Sequence, residues 1–312
     1  MNLPKHHRVA SYARGAQRLA GNRWALAGAA LALPAALAYR LWAAPRPVIG
    51  PPLFNRPRRD ALTFWGHCCL YLDTGGAGIV TDPVFAEQYS PLSRRIVGRP
   101  GPQACEDVQL ILLSHAHSDH LDPRSLSLFP KSALILCPPP CAEFLGGCSR
   151  RIIRPWEEHR QGDVTITAVP ALHPGRRFSL QAGADGRALG YVVRTPQLTL
   201  YYSGDTELFG GLKEVRRRCA PQALILNVNV HLRGRDAARA ARMVGARAVI
   251  PAHHGAFTHP NAWRGPRWRR QLRRLVGGAY REMAVGGSLG FDELRPPPAL
   301  LGPAPPLPAL EP

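Results

Sequence analysis

The chain has 312 residues, of which 45% are hydrophobic, and a formal net charge of +19. That length holds one large domain or two small ones, with enough apolar side chains for a sizeable core. Seven cysteines, an odd number without a C-x-x-C pair, exclude a disulfide framework and read as scattered thiols of a reducing compartment. Lysine occurs only at Lys5, Lys131 and Lys213, so arginine carries nearly all of the positive charge. Two readings of that charge stand: affinity for polyanions, and the coding bias of a GC-rich genome.

Residues 1 to 23 are polar and basic. Trp24 to Tyr39 then runs sixteen residues without a charge. A membrane span needs about 20 residues, and a snorkelling Arg40 extends this one to Ala44. Three readings fit: an uncleaved anchor, a signal peptide, and an Ala-rich buried helix. The lack of a small-x-small cleavage site directly after the run favours the anchor. Pro45 to Pro57 is a proline-rich linker. The expected organisation is a basic, apolar N-terminal segment over 1–45, a linker over 46–60, a folded domain over 61–295 and a Pro-rich tail over 296–312.

Within the domain, Leu62 to Gly66, Leu70 to Asp73 and Gly78 to Thr81 read as strands, with Gly75-Gly76 as a turn. Residues 84 to 106 read as a long loop. The apolar run Leu110 to Leu113 reads as a buried strand. It delivers His115, His117, Asp119, His120 and Asp122 in quick succession. Two histidines spaced by two point the same way on an extended backbone. Imidazoles and carboxylates together suit zinc and related divalent ions, and so many donors this close point to two ions.

A helix over Pro123 to Phe129 and a strand over Ala133 to Leu136 follow, then a helix near Cys141 and a strand over Arg151 to Ile153. Val164 to Val169 alternates as a strand and leads to His173. Leu189 to Arg194 and Leu198 to Ser203 form a hairpin that leads to Asp205. Ala223 to Val228 is a further strand, Asp236 to Val244 a helix, and Ala248 to Ile250 a strand leading to His253. Each of these three polar residues lies just past an apolar strand, so strand ends meeting at one sheet edge would join them to the first cluster. Trp263 to Val276 is a basic helix with two readings: a face that lies on an anionic membrane, and a solvated Arg face with Trp packed inward.

The residues His115 to Asp122, as H-x-H-x-D-H-L-D, resemble the metallo-β-lactamase superfamily. Further motifs are similar to its branch that includes N-acylphosphatidylethanolamine phospholipase D and bacterial relatives. These are Trp65-Gly66-His67, Thr81-Asp82-Pro83-Val84-Phe85 with Ser90-Pro91, Pro155-Trp156-Glu157, Pro170-Ala171-Leu172-His173, Gly204-Asp205-Thr206, His231 to Ala237, and His253-His254-Gly255-Ala256-Phe257. The resemblance implies an α/β fold, the four-layer αββα sandwich. It also implies two Zn2+ ions, other divalent metals being acceptable. One ion takes His115, His117 and His173. The other takes Asp119, His120 and His253, the last chosen over His254. Asp205 bridges both. Asp119, Asp205 and His231 are the expected catalytic residues, His231 touching the substrate. Asp82 is expected to orient a ligand, while Glu157 and Asp122 read more simply as helix caps.

The implied activity is hydrolysis of a phospholipid or small phosphodiester through a hydroxide shared by the two metals. The rivals on this fold are a lactonase and a nuclease. A non-catalytic metal-binding scaffold is the rival of another class. The resemblance and the N-terminal run together imply a membrane-associated protein with a single-pass anchor in the bacterial inner membrane, in contact with the membrane surface and without a specific nucleic-acid partner. The chain departs from the branch after the Asp205 strand. Leu226 to Val230 runs straight into His231, Pro174 replaces a Trp, and Gly234-Arg235-Asp236-Ala237 replaces P-E-E-A. All of these lie where substrate is selected, not where metal is held.

Overall fold

A computed structural model describes residues 59–177, 183, 185–258 and 265–295. The expected N-terminal segment and the Pro-rich tail lie outside the described residues. The expectation of a membrane anchor is corrected. Among the described residues no helix is long and apolar enough to cross a membrane, and the Trp24 to Tyr39 run is outside them, so the inner-membrane localisation that rested on it falls.

Among the described residues there are fifteen strands. They are β1 (Ala61–Gly66), β2 (Cys69–Asp73), β3 (Gly78–Thr81), β4 (Arg94–Arg95), β5 (Val108–Leu112), β6 (Leu134–Cys137), β7 (Arg150–Ile152) and β8 (Glu158–Gln161). The second half holds β9 (Val164–Pro170), β10 (Leu189–Arg194), β11 (Thr199–Tyr202), β12 (Ala223–Asn227), β13 (Ala248–Ala252), β14 (Phe257–Thr258) and β15 (Ser288–Gly290). One sheet has the order β15-β1-β2-β3-β5-β6-β7 and the other β13-β12-β11-β10-β9-β8, while β14 pairs only with β4.

The layers follow from strand alternation. In β9 to β13 every second residue faces the other sheet: Ile166 and Ala168, Tyr191 and Val193, Leu200 and Tyr202, Ala223 and Ile225, Ala248 and Ile250. These meet Leu62, Phe64, Leu70, Leu72, Leu110 and Leu112 from the first sheet. Full burial of each large apolar side chain stabilises by about 1.5–3 kcal/mol. The alternate residues Val192, Tyr201, Leu224, Leu226 and Val249 face the helices Gly211–Cys219, Gly234–Val244 and Gly265–Val276. On the far side, Trp65, Val80, Ile111 and Ile135 pack under Ala104, Leu126 and Cys141. Helix, sheet, sheet and helix are therefore stacked, as expected for the αββα sandwich.

Pairing directions gather the functional ends. β3, β5 and β6 run parallel, as do β11, β12 and β13. β1 and β9 run the same way as these, each through one antiparallel neighbour. Their C-terminal ends lie on one edge, the place where α/β sheets bind ligands.

One expectation changes, and of the two readings of the basic helix one matches the burial pattern. The long loop over 84–106 contains β4 and a short helix, Pro102–Glu106. The buried Arg95 side chain holds the segment by donating to the carbonyls of Val84, Val97 and Gly98. The basic helix is described from Gly265 onward. Its Trp268, Leu272 and Val276 turn inward, and Arg267, Arg270, Arg273 and Arg274 are exposed, the pattern of a solvated arginine face.

At Gly204 the chain has φ of 56°, and a Cβ there would stand 2.7 Å from the Leu189 carbonyl oxygen and 2.8 Å from Ser114 Cβ. Gly204→Ala should lower stability by about 1–3 kcal/mol in urea unfolding. An unchanged midpoint would show that this corner yields without strain.

Candidate metal centre

The first group of donors comes from the loop after β5 and the end of β9. His115 Nε2 lies 3.0 Å from His117 Nδ1, and His173 Nε2 lies 3.1 Å from that same atom. Three ring nitrogens thus face one point, and a proton on His117 Nδ1 serves only part of the set. His173 Nδ1 is buried without a hydrogen-bond partner among the described residues. Burial first, then the neighbouring His120 and His173, push the His115 pKa far below its usual value. Burial likewise takes His173 down to about 3 and lowers His117. Neutral imidazole is the form that ligates metal.

The second group is Asp119, His120 and His253. His120 Nε2 and His253 Nε2 lie 3.8 and 3.5 Å from Asp119 Oδ2. Asp205 stands between the groups. Its Oδ1 is 3.5 Å from His120 Nε2 and its Oδ2 is 3.5 Å from His253 Nε2, while donor atoms of His115, His120 and Asp205 lie within 4.8 Å of one another. Burial opposes ionisation of both carboxyls, yet His120 and His253 hold them well below the usual carboxylate range. Burial also opposes charge on His120 and His253, and the facing Cys68, Asp205 and Asp119 outweigh it. Buried charge of this density persists only when paired or bound to metal. The two nitrogen-rich groups sharing one carboxylate fit two divalent ions.

A buried carboxylate behind them sets the rings. Asp82 Oδ2 accepts a hydrogen bond from His120 Nδ1 at 2.7 Å, and also from Ser114 Oγ and Tyr202 Oη. Asp82 Oδ1 accepts from the Ser114 amide at 2.7 Å. Ser114 Oγ is 2.9 Å from His115 Nδ1. With a metal bound, His120 would keep its proton on Nδ1 toward Asp82 and turn Nε2 to the ion, which is how an outer carboxylate fixes a ligating histidine.

His231 lies beside the first group, its ring 4.7 Å from that of His173 and edge-on to it. Asn229 Oδ1 holds this turn by accepting from the amides of His231 and Leu232. Both residues line a cavity of about 400 Å³ with His67, Asp119, Asp205, His253 and Arg269. Asp122 caps the helix Pro123–Leu126, as expected, whereas Glu157 closes a turn by accepting from the Arg154 amide and caps no described helix. Three residues beside the donors escaped the sequence reading as site residues: His67, Cys68 and Asn227. Asn227 Nδ2 donates to Asp205 Oδ1 at 2.8 Å. His67 stood in a quoted motif, which was its only signal; Cys68 and Asn227 had none.

Asp82→Asn keeps the shape but removes the charge that holds the His120 proton. Zinc affinity, read by chelator competition, should fall about 10–100-fold. Equal affinity in variant and wild type would separate Asp82 from ligand orientation.

A model of the beta-lactamase superfamily domain matches residues 78–254, more than half of the chain. A UPF0173 metal-dependent hydrolase of Methanoregula boonei is 29% identical over 201 residues, covering 63% of this chain and 82% of that protein. The isothiocyanate hydrolase from Delia radicum gut bacteria superposes with a TM-score of 0.59 at 20% identity, covering 74% of this chain and 98% of that one. Igni18, a metallo hydrolase from Ignicoccus hospitalis, superposes with a TM-score of 0.56 at 19% identity, covering 73% and 97%. These two structures share the fold at low identity. The chain belongs to the beta-lactamase superfamily: it has the metallo-β-lactamase fold and carries at one sheet edge the donors of a metal-dependent hydrolase.

Proposed function

We propose that the chain is a binuclear zinc-dependent hydrolase of phosphodiesters that bear an apolar group, in the manner of the N-acylphosphatidylethanolamine phospholipase D-like branch. The observation that carries this reading is Asp205, whose carboxylate is shared by two donor groups at the floor of one cavity. Imidazole and carboxylate donors of this number suit zinc. When bound, two such ions supply Lewis acidity and a water deprotonated near neutral pH.

The chain's own residues supply the rest. Asp119 lines the cavity and is partly exposed there, so its carboxylate is placed to take a proton from the attacking water. His231 and Arg269, from different elements of the cavity wall, present donors to an anionic oxygen. Ile96, Val228, Val230, Phe257 and Trp268 form the apolar part of the wall. They match an alkyl or acyl substituent and exclude water from the reacting end. A phosphodiester with one greasy arm satisfies both halves of the lining.

The test is a panel on zinc-loaded protein: bis(p-nitrophenyl) phosphate, N-acylphosphatidylethanolamine in mixed micelles, an acyl lactone and RNA, each with and without chelator. Both phosphodiesters should turn over, chelator should stop them, and Asp119→Asn should cost about 10²–10⁴ in kcat. Turnover of the lactone or of RNA alone would replace the substrate assignment. Phosphodiester turnover that survives the chelator would overturn the metal reading.

A further inference from the structure

The end of β1 enters the site at an unusual corner. Gly66 has φ of 98° and His67 of 61°, the second uncommon for a residue with a side chain. Two backbone bonds hold this corner against the end of β13. The His67 amide donates to the His254 carbonyl at 2.6 Å, and the His253 amide donates to the His67 carbonyl at 2.7 Å. The segment is thereby fastened to the ligand His253 itself. Its two following polar atoms, the His67 ring and the Cys68 thiol, turn into the floor of the second donor group.

The thiol is fully buried. Cys68 Sγ is 3.9 Å from His120 Nε2, and donor atoms of His67, Cys68, His120 and His253 all lie within 4.8 Å of one another. Asn227 Nδ2 points at Cys68 Sγ at 3.4 Å while donating to Asp205 Oδ1. The amide thus ties the sulfur to the carboxylate assigned to both ions. A second observation is independent of the thiol. His67 Nε2 is buried and has no hydrogen-bond partner among the described residues, with Asp119 Oδ2 3.5 Å away. The His67 ring thus adds an unpaired polar atom beside the same donors.

We propose that Cys68, as a thiolate, ligates the ion held by Asp119, His120 and His253. The assignment rests on the two-ion reading above and adds a sulfur donor that reading lacks. With zinc–sulfur bonds of about 2.3 Å and zinc–nitrogen bonds of about 2.0–2.1 Å, a sulfur and a nitrogen on one ion stand about 3.5 Å apart or less, and with Asp205 this ion has five protein donors. Cys68 Sγ and His120 Nε2 need approach by only a few tenths of an ångström to meet that spacing. Binding replaces the S–H bond by a sulfur–metal bond and releases the proton to solvent. The two positions then differ in kind: three imidazoles in one, a softer sulfur-containing set in the other. Soft donors select zinc over magnesium, calcium and manganese.

Cobalt is the probe, because cobalt–thiolate bonds give a near-ultraviolet charge-transfer band that imidazole and carboxylate do not. The protein carries Cys148→Ser to remove its exposed thiol. Loaded with two cobalt ions, it should show the band, growing with one of the two equivalents. Cys69→Ser should keep it. Cys68→Ser should lose it and bind one of its two ions at least about tenfold more weakly, with unchanged circular dichroism. Zinc-edge X-ray absorption on the wild-type protein needs no variant and should show a sulfur neighbour on half of the zinc. Two bound ions without the band or the sulfur shell would overturn the Cys68 assignment alone. A band that persists in Cys68→Ser would do the same. Failure to bind ions would overturn the assignment together with the two-ion reading.

Discussion

One buried carboxylate joins the two sheets at the edge where the donors gather. Asp82 follows β3 of the first sheet and accepts hydrogen bonds from Ser114 and His120 after β5 and from Tyr202 on β11 of the second sheet. It is 1% exposed, so its oxygens depend on those partners in place of water. Each partner in turn positions something else: Ser114 reaches the His115 ring, His120 presents Nε2 to Asp205, and Tyr202 leads into the turn at Gly204. The residue before proline in Thr81-Asp82-Pro83 is thus a structural hinge between core and site. The fold brings these elements within reach, and the hydrogen bonds determine which nitrogen each ring offers.

The site is deep because strand ends make it deep. His115, His173 and Asp205 are each within a few residues of an apolar strand buried on both faces, so the backbone that carries them is rigid. Rigid elements position ligands better than loops do. Other residues that line the cavity come from different material. His231 sits on a turn held by Asn229, Phe257 on the two-residue strand β14, and Trp268 on the helix beyond the undescribed stretch 259–264. The same chain therefore fixes its donors on strand ends and builds its lining from a turn, a short strand and a helix.

Much of this was readable from residue order. His115, His117, Asp119 and His120 crowd one loop, and the alternation of β9 to β13 sets both the core face and the point where each strand stops. What was hidden depends on contacts across long sequence separations. Asn227 and Cys68 are 159 residues apart, and neither carries a local pattern that marks it as polar floor. The helix Gly211–Cys219 escaped because Arg216-Arg217-Arg218 masks an apolar face of only Leu212, Val215 and Cys219. The segment around Arg95 looked like loop because its order comes from a guanidinium donating to carbonyls, which leaves no periodicity. The Trp24 to Tyr39 run shows the opposite error: composition alone suggested an anchor that no described helix supports.

The central claim is that two ions share the Asp205 carboxylate. It is tested most directly by anomalous diffraction at the zinc edge from crystals of the zinc-loaded protein. The account predicts two peaks about 3.5–4 Å apart, one among His115, His117 and His173, the other among Asp119, His120 and His253, with Asp205 touching both. A single peak, or peaks that leave Asp205 without a metal, would contradict it.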